Sequence, residues 1–223
     1  MTDRTGGGLV RKLAVTNQYS GIFTAKYFVK TVFVTLNCNF CEYLAIGKSN
    51  QLYISSMAHN IKKLPVVSEN SNDASYSSAK ISGSLGDTSC TGAACAGDVE
   101  GVGTCARYNT ISGLALQVTS DVAATDVALF IADKINNKIR RLELTSGNNV
   151  MTSFDAGPVD LIGEYLAGIV INTAMNMLYV GGVGVIYSYD ISIGAASKSV
   201  LAGQQNVVDV MSGMCTYILC GLD

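Results

Sequence analysis

This chain of 223 residues has no tryptophan, one histidine and two prolines, and only 14% of its residues are charged. Each scarcity excludes something. A zinc centre needs three or four nitrogen, sulfur or oxygen ligands, and His59 has no second histidine beside it. A Ser–His–acid triad would have to use His59 as its base, and no Gly-x-Ser-x-Gly elbow accompanies it. His59 lies in a polar turn and reads as a solvated residue. The net charge of −2 provides no global attraction for nucleic acid or an anionic membrane.

Targeting signals are scarce too. Arg4, Arg11 and Lys12 are followed by polar and glycine residues rather than by the apolar core of a signal peptide. The compartment therefore stays open. Residues 167–187 carry no charge, and their length suits a membrane span. Asn172, Thr173 and Asn176 interrupt the stretch, and Gly181, Gly182 and Gly184 break it into β-like pieces. No membrane span is expected.

Apolar residues make up 48% of the chain, too many for a disordered sequence, and glycine occurs 23 times. Glycine mixed with Val, Ile, Thr and Tyr suits short strands and tight turns. Charge alternates in blocks. Residues 1–63 are net +6, 64–133 are −6, 134–141 are +4 and the remainder is −6. Such blocks place opposite signs on different turns.

The strongest signal is a repeat. Residues 128–144 (ALFIADKINNKIRRLEL) read as an apolar strand, a polar Asn-containing turn and a second, alternating strand: a hairpin. Residues 52–64 repeat it with one residue fewer in the turn, and 178–191 with two fewer. Ile61, Ile139 and Ile186 are equivalent, and Val10 begins a fourth echo, at intervals of 51, 78 and 47 residues. A unit of 47–51 residues fits one four-stranded blade. The long interval contains 68–97, rich in Ser, Gly, Asp and Cys, which is expected to be an irregular surface loop. Strands are expected upstream of each hairpin at 42–46, 112–116 and 167–171, and closing strands at 149–154 and 198–201. Helix should be minor.

GVGTCARYN at 101–109, SGLAL at 112–116, LFIAD at 129–133 and NKIRR at 137–141 together resemble a blade of the NHL-repeat β-propeller family. The likeness is specific over 100–157, moderate over 42–67 and 167–203, and faint at the termini. Ser56 and Gly182 replace the acid found at Asp133, and the third repeat lacks the Asn-x-Ile turn. A WD40 propeller is not supported, because there is no tryptophan for a Trp-Asp pair.

The resemblance implies an all-β propeller of about four four-stranded blades, as a closed ring or an open partial one. Blades are expected at about 26–67, 98–157 and 158–203. The ends, 7–25 and 204–223, hold complementary halves of a further blade. In the closed ring, Val10–Val15 and 19–24 would pair with 206–211 and 215–220.

The resemblance also frames the chemistry. Asp133 and Asn137 are expected to be structural turn residues, Asp133 accepting backbone N–H groups. Lys134, Lys138, Arg140 and Arg141 are the partner-binding candidates, since some NHL propellers bind RNA through a positive face. One basic turn on an acidic chain is weak support for nucleic acid, and alternation sends Arg140 and Arg141 to opposite faces. Some relatives of the family are metal-dependent lyases or lactonases, but no catalytic residue, metal ligand set or cofactor is identified here. Cys38-x-x-Cys41 and the Cys90/Cys95 pair could together bind zinc, but the second spacing is loose and the two pairs lie on separate loops. Cys90–Cys95 and Cys215–Cys220 are candidate disulfides for an oxidising compartment. Cys105 stands where the family has a small residue and is expected to be a buried free thiol. The leading expectation is a non-catalytic interaction module for a protein, peptide or glycan. A propeller-type hydrolase or lyase with a metal in its central channel is the alternative, and an RNA-binding propeller the second.

Overall fold

The computed structural model describes residues 2–3, 9–16, 26–31, 41–47, 51–56, 59–65, 79–83, 96–119, 125–155 and 166–203. Among them are sixteen strands, two short 3-10 turns and no α-helix. β1 (Thr2–Asp3), β2 (Leu9–Thr16) and β3 (Lys26–Thr31) form one antiparallel sheet. β4 (Cys41–Ile46), β5 (Gln51–Ser56), β6 (Asn60–Pro65) and β7 (Ala79–Gly83) form a four-stranded meander. The next sheet contains β8 (Gly101–Val102), β9 (Ile111–Val118), β10 (Asp126–Asp133), β11 (Lys138–Glu143) and β12 (Val150–Asp155), in the order β8-β12-β11-β10-β9. β13 (Gly168–Ile171), β14 (Met177–Gly182), β15 (Val185–Asp190) and β16 (Ser199–Gly203) complete the set.

The hairpins fall where alternation and turn chemistry place them. Four residues separate β10 from β11, three separate β5 from β6, and two separate β14 from β15. Ser56, Asp133 and Gly182 each end the first strand of a hairpin and pair with Asn60, Lys138 and Val185. The turns need a left-handed residue. His59 (φ 57°), Asn137 (φ 49°) and Gly184 (φ 73°) supply it, so the third repeat replaces its lost asparagine with glycine.

β4, β9 and β13 are edge strands of their three sheets and lie against one another in succession, as the inner strands. Two apolar cores separate the three sheets. Tyr53 and Ile61 meet Leu129, Ile131 and Leu142 in the first. Phe130 and Ile139 meet Leu178, Val180 and Tyr187 in the second. β10 is therefore buried on both faces, which explains its nearly continuous apolar run. Phe154 sits edge-on to Phe130 (5.1 Å) and to Tyr189 (5.8 Å) in the second interface. Meander sheets stacked inner strand to inner strand are arranged as blades of a propeller are.

The inner strands approach very closely. A Cβ at Gly113 would lie 3.0 Å from both the Ile169 backbone N and its Cγ2. Only glycine lets β9 and β13 touch backbone to backbone at this point.

Three expectations are corrected or bounded. Residues 68–97 are not wholly irregular: β7 lies inside them as the outer strand of its sheet, with Ile81, Ser82 and Gly83 buried. Lys26–Thr31 pairs with β2, so the first complete meander begins at β4 rather than at residue 26. The uncharged stretch 167–187 forms strands, and no helix among the described residues is long and apolar enough to cross a membrane. Of the closing strands, Val10–Val15 belongs to β2, while 19–24, 206–211 and 215–220 lie outside the described residues.

Gly113→Val should destabilise the chain by about 1–3 kcal/mol, because overpacking forces β13 away from β9. Urea unfolding will show this as a lowered midpoint with an unchanged slope.

Candidate functional site

The basic cluster singled out from the sequence surrounds the β10–β11 turn. Arg140 lies on the β11 face that also carries Leu142, and its side chain is fully buried. A buried guanidinium must have its donors matched. Nε donates to Asp133 Oδ2 at 3.0 Å and Nη1 to Ser153 Oγ at 2.7 Å. Nη2 pairs with Asp98, and the Glu100 carboxylate stands 3.8 Å from Nη1. Asp133, itself buried, accepts the Asn109 backbone N–H (2.8 Å) and the Asn136 side-chain amide (2.8 Å). The same Asn136 amide reaches the Gly97 carbonyl at 2.7 Å.

The electrostatics follow this geometry. Burial pushes the Asp133 carboxyl above its ordinary value, against the pull of Asn109, Asn136 and Arg140. At Asp98 burial also pushes upward, but hydrogen bonds and charge from Lys138 and Arg140 outweigh it and hold the carboxyl low. Two hydrogen bonds from Ser153 hold Glu100 low. The guanidinium is thus occupied by the protein itself. It functions as a latch between the hairpin and the 97–110 segment.

That segment also joins two sheets. Thr110, at a left-handed φ of 63°, donates its N–H to His59 Nδ1 at 3.0 Å. Its carbonyl accepts the Lys134 N–H at 2.8 Å, and the Asn109 carbonyl accepts the Ile135 N–H at 3.0 Å. Beneath them the Ser82 and Tyr108 hydroxyls share a buried 2.7 Å hydrogen bond. At the far end of the same interface Tyr53 donates to Asp126 at 2.8 Å. His59 is therefore not the solvated residue expected. It is half-buried and bonded across the interface, and desolvation lowers its pKa against the opposing charge of Asp133.

The four basic candidates do not form one patch. Lys138 pairs with Asp98 at 2.5 Å, and Arg141, on the opposite strand face, pairs with Glu143 at 2.6 Å. Arg140 is buried, so it is withdrawn from any surface contact, contrary to expectation. Lys134 is half-buried on the turn beside Ile135, which is 47% exposed. Asp133 is the last residue of β10, and Asn137 lies in the turn at φ 49°. Cys105 is a free thiol but is exposed, because the 3-10 turn Gly103–Cys105 lies at the sheet's outer edge beside β8 and not in the core. Cys90, Cys95, Cys215 and Cys220 lie outside the described residues. Among the described residues no three His, Cys, Asp or Glu side chains are grouped as a metal would require.

Sequence reading missed Asp98, Glu100, Ser153 and Ile135. The only available signal was the excess of acid in 64–133 facing the +4 block at 134–141.

No family model matches the chain, and no curated protein matches it. Among solved structures it is similar to hydrazine synthase of Kuenenia stuttgartiensis, at 12% identity and a TM-score of 0.44, over 73% of this chain and 36% of that one. It is also similar to an auxiliary nutrient binding protein of Bacteroides thetaiotaomicron VPI-5482, at 17% identity and a TM-score of 0.46, over 70% of this chain and 37% of that one. The chain spans little more than a third of either.

Arg140→Ala leaves Asp133 buried and unpaired and should cost about 3–5 kcal/mol in denaturant unfolding. His59 predicts a pH dependence. Its folded pKa lies below the ordinary value of 6.5, so the unfolded chain binds the proton more readily. Its contribution is intact above pH 6.5 and is lost as pH falls from there toward the lowered folded pKa. His59→Asn should flatten the thermal midpoint against pH in that window; an unchanged slope would place the titration elsewhere.

Proposed function

We propose that the chain is a non-catalytic interaction module of the NHL-like propeller type, with blades built on β4–β7, β8–β12 and β13–β16. Its partner is a protein, peptide or glycan, and the contact surface centres on the β10–β11 turn. The observation that supports this reading is the turn's rigidity. Its backbone is anchored by Lys134 and Ile135 N–H groups, and Asn136 ties it to Gly97. Ile135 remains 47% exposed on this fixed support. A large apolar side chain held at a preordered position loses little freedom on binding. The charges that would attract polyanions are largely committed within the fold: Arg140 to Asp133 and Asp98, Arg141 to Glu143 and Lys138 to Asp98. A protein-like partner fits this surface better than RNA.

Peptide and glycan arrays probed with the full chain test the proposal. Ile135→Asp should weaken the strongest peptide signals by about tenfold or more, in line with the loss of a central contact. The thermal midpoint should stay unchanged. Retained binding in Ile135→Asp, or binding to glycans alone that ignores both Ile135→Asp and Lys134→Glu, would remove this face from consideration.

A further inference from the structure

Two left-handed residues that are not glycine meet across the first interface. They are His59 (φ 57°) and Thr110 (φ 63°), and at β-branched Thr110 this backbone is costly. They are bonded to each other, the Thr110 N–H donating to His59 Nδ1 at 3.0 Å. That N–H belongs to the same peptide group as the Asn109 carbonyl, which accepts the Ile135 N–H at 3.0 Å. In a trans peptide the N–H and the carbonyl point in opposite directions. One peptide plane is therefore clamped between His59, in the β5–β6 turn, and Ile135, in the β10–β11 turn. The next carbonyl, that of Thr110, accepts the Lys134 N–H at 2.8 Å and holds the same turn. The clamp requires a neutral imidazole. Nδ1 accepts only while the proton sits on Nε2; both nitrogens of an imidazolium are donors, and turning the ring over restores no acceptor.

We propose that protonation of His59 unlocks the β10–β11 turn, so that the surface around Ile135 engages its partner at neutral pH and releases it in acid. Release of a partner rests on the reading of this turn as the contact surface; the unlocking does not. Once the Thr110 N–H faces a donor, nothing on that side holds Thr110 in the left-handed region. Relaxing its φ with β9 in place rotates the 109–110 peptide, and the Asn109 carbonyl swings away from Ile135. A turn that must then be ordered on binding costs affinity. Neighbouring groups set the pH window. Burial lowers the His59 pKa below its ordinary 6.5, with the Asp133 charge opposing, so unlocking occurs below pH 6.5. Asp133 at the end of β10 is the rival titration, because burial raises its carboxyl and it accepts the Asn109 N–H. Arg140 on β11, bonded to Asp133, stays charged throughout. In the 97–110 segment, burial pushes the Tyr108 hydroxyl far above its ordinary value, so it remains neutral. Lys134 is the charged side chain of the turn itself.

His59 is the chain's one histidine, so its ring can be titrated by NMR in the full chain without overlap. The Lys134 and Ile135 amides report the clamp. Corrected for the intrinsic effect of pH, their hydrogen-exchange protection should fall about tenfold as His59 gains its proton, with the same midpoint. His59→Asn is the control: Oδ1 replaces Nδ1 as acceptor, asparagine tolerates the left-handed backbone, and the side chain cannot titrate. Protection in this variant should stay flat. Protection that ignores the His59 titration would overturn the proposal, as would a fall that persists in His59→Asn and so belongs to Asp133. The strongest peptide from the array gives the second reading. Its affinity should drop by about tenfold between about pH 7.5 and about pH 5 in the unmodified chain and hold steady in His59→Asn. Equal affinity at both pH values, with the turn shown by exchange to be unlocked, would remove the gate. Absence of any array binding would sink the contact-surface reading and the gating with it, while the exchange measurements decide the unlocking on their own.

Discussion

A fully buried guanidinium sets the terms for the centre of this structure. Arg140 can be tolerated inside only if carboxylates and hydroxyls meet it. They come from three directions: Asp133 at the end of β10, Ser153 on β12, and Asp98 from the segment before β8. Meeting that demand fixes the 97–110 segment against the hairpin. The segment runs directly into β9, so the latch also sets where the inner strand starts. From there Thr110 carries the constraint across to His59 on the neighbouring sheet.

Close stacking of sheets follows from the inner strand's position. β9 lies between β4 and β13, and Gly113 removes the side chain that would hold β13 away. With the strands that close, large side chains one row outward fill the remaining space. Tyr53, Tyr108 and Leu129 do so on one side, and Phe130, Phe154 and Tyr189 on the other. In the third sheet Val170 and Ile186 are exposed at positions that match buried Ala45, Ala115, Ile61 and Ile139 in the sheets before it.

Low overall charge has a related consequence. Most ionic groups near the β10–β11 turn are used to hold chain segments together, as with Lys138–Asp98 and Arg141–Glu143. The surface left for recognition is an ordered turn with an apolar tip. This differs from a basic patch in kind: it would select shape and apolar contact more than charge.

The sequence by itself determined the hairpins. Alternation and turn chemistry are local, so LFIAD–KINN–KIRRLE could be read as strand, turn and strand, and the four-, three- and two-residue turns were legible from spacing alone. It also determined that Arg140 and Arg141 face opposite ways. Which of the two turns inward was a tertiary decision, made by Asp98, 42 residues away along the chain, and by the packing of Leu142. β7 escaped notice for a similar reason: an outer strand needs few apolar residues, and Ala79–Gly83 contributes only Ile81 to the core. The solvated histidine and the buried cysteine were misplaced because burial depends on what an adjacent segment covers. Backbone periodicity travels with the chain, whereas the partners of a buried charge are supplied by segments distant in sequence, and only folding brings them together.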